Sequence, residues 1–174
     1  AVIDGARILS PGVLANMIRA ERVFDMPFTY TIGMHLGTKR QSESVTEGYN
    51  QIVEDWLLED TSWQEDGYKL FQISCLAGSS KDGFLLPIYE SNCFAINRDI
   101  LSDIGGFDEA FVERGGGLVN LDVFRRLMSH QKVTPVLLIG EATFHQFHGG
   151  VSTNVPIEKN PWELFDQEYE RLLG

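Results

Sequence analysis

Apolar, β-prone runs and runs with helical spacing take turns along this chain, and that alternation constrains the fold more than any single motif. "AVID" (1–4) reads as a short buried strand ending at Asp4. Ser10-Pro11 offers an N-cap and a proline at the first helical position, with Leu14, Met17 and Ile18 as the apolar stripe of the helix that follows. "FTYTIGMHLG" (28–37) alternates as a strand that closes on a glycine turn. From Ser42 to about Asp60 the spacing predicts the clearest helix, burying Val45, Tyr49, Ile52, Val53, Trp56 and Leu57. Runs 69–80 and 84–97 are β-prone and separated by a Ser-Lys-Asp-Gly turn. A short helix from Asp99 to Ile104 is stopped by Gly105-Gly106, and another helix runs from Asn120 to about His130. Segment 133–150 holds one or two strands, and 160–173 forms a terminal helix with Trp162, Phe165, Tyr169 and Leu172 on one face. Strands alternating with helices predict one α/β domain over residues 1–174, a mixed β-sheet flanked by helices.

Charge and cysteine usage narrow the function classes. Fourteen basic against twenty-five acidic residues leave a formal charge of -11, a surface that repels phosphate backbones and argues against nucleic acid as a partner. An anionic ligand then requires a metal ion or a locally basic pocket. Cys75 and Cys93 are too few for a disulfide framework and read as buried thiols of a reducing compartment. No apolar run approaches the ~20 residues of a membrane span, and the first residues lack a signal-peptide pattern, so a cytoplasmic location is expected. The chain opens directly on an apolar strand, which suggests a cut within a larger protein.

Three stretches carry candidate chemistry. In "IDGARILSPGVL" (3–14), Asp4 stands at the carboxyl end of a strand just before a helix, where open α/β sheets bind ligands and an aspartate holds a divalent cation. It serves equally as a plain turn residue. In "FHQFHGG" (144–150), His145 and His148 are three apart, which on a strand directs them to opposite faces, so at most one joins Asp4 on a metal. A strand histidine is more often structural, and His35 and His130 have no neighbours that suggest more. In "GGFDEAFVERGGGLVNLDVFRRL" (105–127), glycines let backbone approach a ligand or hinge a lid. Glu109, Glu113 and Asp122 there suit acid/base work or sugar hydroxyls, and Arg125 or Arg126 suits a carboxylate or phosphate. The same composition describes a surface loop leading into a solvated helix. Phosphate-loop, nucleophile-elbow, zinc-helix and dinucleotide fingerprints are all missing from the sequence.

Taken in order, these pieces resemble the nucleotide-sugar glycosyltransferases of the GT-A fold, family two and its relatives. "IDGARILSPGVL" is similar to the family's Asp-x-Asp strand and following helix, "SNCFAINRDILSDIGGFDEAF" to the segment leading into its "GGFDE", "GGLVNLDVFRR" to its acidic helix start, and "FHQFH" to its final histidine strand. The match departs from the pattern at Ala6, where the second carboxylate stood, and at Val119-Asn120, where a Glu-Asp pair stood. The resemblance implies the latter part of a GT-A domain, lacking the nucleotide-gripping β-α-β portion before Ala1. It also implies transfer of a sugar from a nucleotide-sugar donor to a carbohydrate or other hydroxyl acceptor. Under it, a divalent metal (Mn or Mg) sits on Asp4 with His145 or His148. Glu90, Asn92, Asp108, Gly116, Gly117 and Arg126 lie at substrate, and Asn120, Asp122 and Glu109 carry catalysis. The alternative is a non-catalytic sugar- or protein-binding module that kept the scaffold after losing those carboxylates.

Overall fold

The computed structural model describes residues 1–86 and 88–174. Its centre is a six-stranded mixed sheet built from β1 (Val2–Ile3), β2 (Arg7–Leu9), β3 (Pro27–Leu36), β4 (Ser74–Leu76), β5 (Cys93–Ala95) and β6 (Thr134–His145). The strand order is β1-β5-β3-β6-β2, with β4 also paired to β3. β3 and β6 run parallel, while β4 and β5 are antiparallel to β3, β2 to β6 and β1 to β5. The helices are α1 (Val13–Val23), α2 (Gln41–Ser44), α3 (Gln51–Thr61), α4 (Arg98–Asp103), α5 (Val119–Met128) and α6 (Trp162–Leu173). The fold is therefore mixed α/β, as the alternation of patterns predicts.

β3 shows why the two faces differ. All ten of its residues are buried, so both faces are covered. Successive side chains point to opposite faces, which separates Phe28, Tyr30, Ile32, Met34 and Leu36 from Thr29, Thr31, Gly33 and His35. The first set joins Phe94, Phe144 and α5's Val123, Phe124 and Leu127 in the main core. Phe124 meets Phe28 and Tyr30 edge-on, with ring centroids 5.4 and 5.2 Å apart. The second set forms a polar face. It is covered at one end by α1, whose Val13 and Met17 pack on Cys93, Ala95 and Leu138. α6 builds a third cluster, Phe165 against Phe111 and Leu118, which braces the glycine-rich segment.

Several elements depart from the sequence expectation. The expected helix from Ser42 to Asp60 is broken: α2 ends in a 3₁₀ turn, Gly48 adopts φ 97°, and Asn50 restarts the chain as α3 by accepting from Ile52 and Val53 N–H. The face expected to be buried points outward, with Ile52 79% and Trp56 61% exposed. The one buried α3 residue is Glu54, which accepts from the Phe147 backbone, Gln41 and Tyr49. Satisfying that carboxylate sets the helix's rotation where apolar spacing alone would set it otherwise. α1 shows a similar reversal. Ser10 bonds Glu141 instead of capping, Gly12 stands at the cap, and the buried stripe is Val13, Met17 and Ala20 while Leu14 and Ile18 are exposed. Among the described residues of runs 69–80 and 84–97, only Ser74–Leu76 and Cys93–Ala95 are strands, and Gly67–Ile73 coils as 3₁₀ helix. Segment 133–150 holds one strand, within the one or two expected.

Candidate functional site

Strand direction gathers the candidate residues. β1, β3 and β6 all run the same way through the sheet, so Asp4, His35 and His145 stand at or just past one set of carboxyl ends. The antiparallel strands β2 and β5 begin at that same end, which brings Arg7 and the Glu90–Asn92 segment to it. Asp4 N–H donates to Asn92 carbonyl oxygen at 2.8 Å, closing the group. Carboxyl ends of parallel strands are where open α/β sheets bind ligands.

Register then sets a row across the polar face. Arg7 pairs with His145, His145 with His35, and His35 with Cys75, so four side chains from four strands project on one side. The His35 and His145 rings are 5.5 Å apart. Gln41 fixes both tautomers. Its backbone N–H donates to His35 Nδ1 at 3.1 Å, and its Oε1 lies 2.6 Å from His145 Nδ1 while accepting from Asn154 Nδ2 at 2.9 Å. Because Oε1 can only accept, His145 carries its proton on Nδ1 and presents a lone pair at Nε2. Gln41 Nε2 is committed to Glu54 and the His145 carbonyl.

His145 and His148 converge, contrary to the expected opposite faces. β6 ends at His145, and the chain then folds back, so His148 Nε2 reaches 3.2 Å from His145 Nε2. Glu54 holds the Phe147 N–H, and Asn154 Oδ1 holds those of His148 and Gly150. Burial first, then the charge of Arg7, lowers His35 to about 4 and His145 to about 2. Both imidazoles are neutral at physiological pH. The same burial raises the Cys75 thiol and carries Cys93 up to about 11, so neither is a thiolate.

A cavity of about 480 Å³ opens beside this row, lined by Asp4, Gly5, Ala6, Gln51, Gln146, Phe147 and His148. Glu90 lies nearby under Gly33. It is 1% exposed, its Oε2 accepting from Ser79 at 2.6 Å and its Oε1 from the Asn92 side chain and backbone N–H. A Cβ on Gly33 would sit 2.0 Å from Glu90 Oε2, so the glycine makes room for the carboxylate.

The glycine-rich group lies apart from that row. Arg126 Nε binds Asp122 at 2.7 Å, and its Nη atoms donate to the carbonyls of Ile104 and Gly106; Arg125 takes the other oxygen of Asp122 at 3.1 Å. Asp122 is 1% exposed, and its carboxylate is spent on these arginines. Asp108 caps its own turn through Ala110 N–H, whereas Glu109 is exposed and Asn120 half-buried at the start of α5. Gly116 and Gly117 take φ 84° and 52°, and Glu168 Oε1 clamps the preceding turn through Val112 and Glu113 N–H. Asp108, Glu109, Asp122 and Arg126 line a second cavity of about 420 Å³. The segment after His148 joins the two regions, since Val151 packs against Gly115.

The structure thus brings Asp4, Glu90, Asn92, His145 and His148 to one sheet end and leaves Asp108, Glu109, Asp122 and Arg126 around another cavity, with Gly116, Gly117 and Asn120 where the chain enters α5. Sequence reasoning passed over Arg7, His35, Gln41, Glu54 and Asn154. Arg7 had a visible signal, a lone cation within an apolar strand; Gln41 and Asn154 had none. As for the metal that the resemblance implies, His145 and His148 supply two nitrogens at a spacing that suits one ion. Among the described residues no group of three His, Cys, Asp or Glu side chains converges, and the Asp4 carboxylate lies 3.7 Å from Arg7 Nε. This donor set does not fit a resident divalent cation. No protein family, curated protein or solved structure matches the chain.

Proposed function

We propose that this domain is a glycosyltransferase-like unit that takes a nucleotide-sugar at the carboxyl end of its sheet and passes the sugar to an acceptor hydroxyl. One observation carries the reading. Asp4, Glu90, Asn92, His145 and His148, scattered over the sequence but ordered as in the GT-A resemblance, meet at one sheet end beside a cavity. In this reading Glu90, held by Ser79 and Asn92, orients sugar hydroxyls, and the His145–His148 pair hydrogen-bonds the ligand or passes a proton between ring nitrogens.

A second reading, a sugar-binding module without transfer, is favoured by Asp122. Its carboxylate is tied to two arginines at the place where the resemblance expects an acid or base. Incubation with a panel of nucleoside diphosphate sugars, with and without simple glycoside acceptors, separates the two. Nucleoside diphosphate release that Glu90→Gln and His148→Ala reduce supports transfer. Sugar-dependent binding without release supports the module, and neither binding nor release from folded protein sinks both.

A further inference from the structure

Arg7 is the most conspicuous unexplained charge in the molecule. Its side chain is 6% exposed, and its Nε and Nη1 are buried without a hydrogen-bond partner. A guanidinium cannot shed its proton, so the fold holds a fixed positive charge among groups that do not answer it. The neighbouring imidazoles are neutral, as is the Cys93 thiol. The nearest carboxylate is Asp4, whose Oδ2 lies 3.7 Å from Nε, beyond hydrogen-bond length, and whose side chain is 41% exposed. Leaving a buried charge unpaired is costly, and a chain of net charge -11 had acidic side chains to spare for it.

The surroundings point the same way. Among the described residues, three buried side-chain atoms without partners, Arg7 Nε and Nη1 and Thr143 Oγ1, lie on neighbouring rows of the polar sheet face. Thr143 sits two residues before His145, on the row next to Arg7. Arg40 adds a second positive charge felt by His35. Asp4 and Ala6, in the loop just before the strand that carries Arg7, line the cavity shared with His148, and a Cβ on Gly5 would meet nothing within 4 Å.

We propose that Arg7 is an anion-binding residue that takes a phosphoryl group entering beside the Asp4–Ala6 loop, in exchange for the loosely held Asp4 carboxylate, without a metal ion. This rests on the nucleotide-sugar reading for its physiological ligand, the diphosphate of the donor, but not for the anion site itself. Arg7 then supplies the positive charge that the carboxylate lost at Ala6 would have recruited through a cation. Asp4 acts as a placeholder that competes with the ligand, and the Thr143 hydroxyl is a further donor on that face.

Calorimetric titration of the folded domain with inorganic pyrophosphate in EDTA, at low ionic strength, tests this. Binding is expected without metal, weakening as salt rises. Arg7→Gln is expected to weaken it by about tenfold or more. Asp4→Asn, which removes the competitor, is expected to tighten it severalfold, the opposite of what a metal-ligand role predicts. If Arg7→Gln does not fold by circular dichroism, Arg7→Lys and the Asp4→Asn result decide. No pyrophosphate binding in EDTA, equal affinity in the Arg7 variants, or weaker binding in Asp4→Asn overturns the proposal. Malonate binding as tightly as pyrophosphate would also overturn it, by assigning the site to carboxylates. Manganese-dependent turnover of a nucleotide-sugar that survives Arg7→Gln would leave the transferase reading standing and sink this one. Pyrophosphate bound in EDTA, with no nucleotide-sugar bound under any condition, would do the reverse.

Discussion

His35 and His145 are buried in neutral form beside an arginine, and that arrangement has a thermodynamic consequence. In the unfolded chain each titrates near its ordinary value of about 6.5, whereas in the native protein His35 waits until about 4 and His145 until about 2. Their contribution to stability is therefore intact above about pH 6.5 and is lost as pH falls, because the unfolded state binds protons that the native state refuses. Each histidine contributes a slope of about 1.4 kcal/mol per pH unit in that window. Glu54, raised mainly by burial, opposes this slightly just above the ordinary carboxylate range. Urea unfolding between about pH 7 and about pH 5 should show the slope, and His145→Gln should remove roughly half of it. An unchanged slope in that variant would contradict the neutral assignment. Gly33 offers a second residue-scale check. Gly33→Ala must displace Glu90, since the added Cβ meets Oε2 at 2.0 Å, and should cost about 1–3 kcal/mol in denaturant midpoint measurements.

Among the elements, α5 and α6 show how the glycine-rich segment is held. Arg126 joins Asp122 to the carbonyls of Ile104 and Gly106, so it fixes the turn after α4 as much as it neutralises a buried acid. Arg126→Ala should cost about 3–5 kcal/mol, because Asp122 would keep only Arg125, whose side chain is 55% exposed. Glu168 on α6 clamps Val112 and Glu113 N–H just before exposed Arg114. Glu168→Ala should release that turn and speed tryptic cleavage at Arg114, read by mass spectrometry of the fragments; an unchanged rate would mean the hydrophobic contacts of Phe111 and Phe165 suffice. The elements also show what was legible in the sequence. β3, α4, α5 and α6 follow from periodicity and glycine stops, because their buried polar groups leave the apolar face where the spacing puts it. α3 does not, since Glu54 turns inward to satisfy backbone and side-chain donors and carries Ile52 and Trp56 out to the surface. A polar hub of that kind leaves no periodic trace.

At the scale of the whole molecule, one sheet carries two unlike faces. The even face of β3 builds the aromatic core against α5, and the odd face carries Arg7, His35 and His145 in a row. Motif order led to Asp4, Glu90, Asn92, His145 and His148. Arg7's neighbours emerged from strand register and Gln41's role from its hydrogen bonds, because those partners lie far apart in sequence. The convergence of His145 and His148 depended on where β6 ends, which spacing on an unbroken strand misjudges. Among the described residues no helix is long and apolar enough to cross a membrane. The most direct test of the central claim is backbone amide chemical-shift mapping with a nucleoside diphosphate sugar panel on isotope-labelled protein. The account predicts that shifts for at least one donor cluster at Asp4–Arg7, Glu90–Asn92 and His145–His148. Shifts confined to the cavity of Asp108, Glu109 and Asp122, or none from folded protein with any donor, would contradict it.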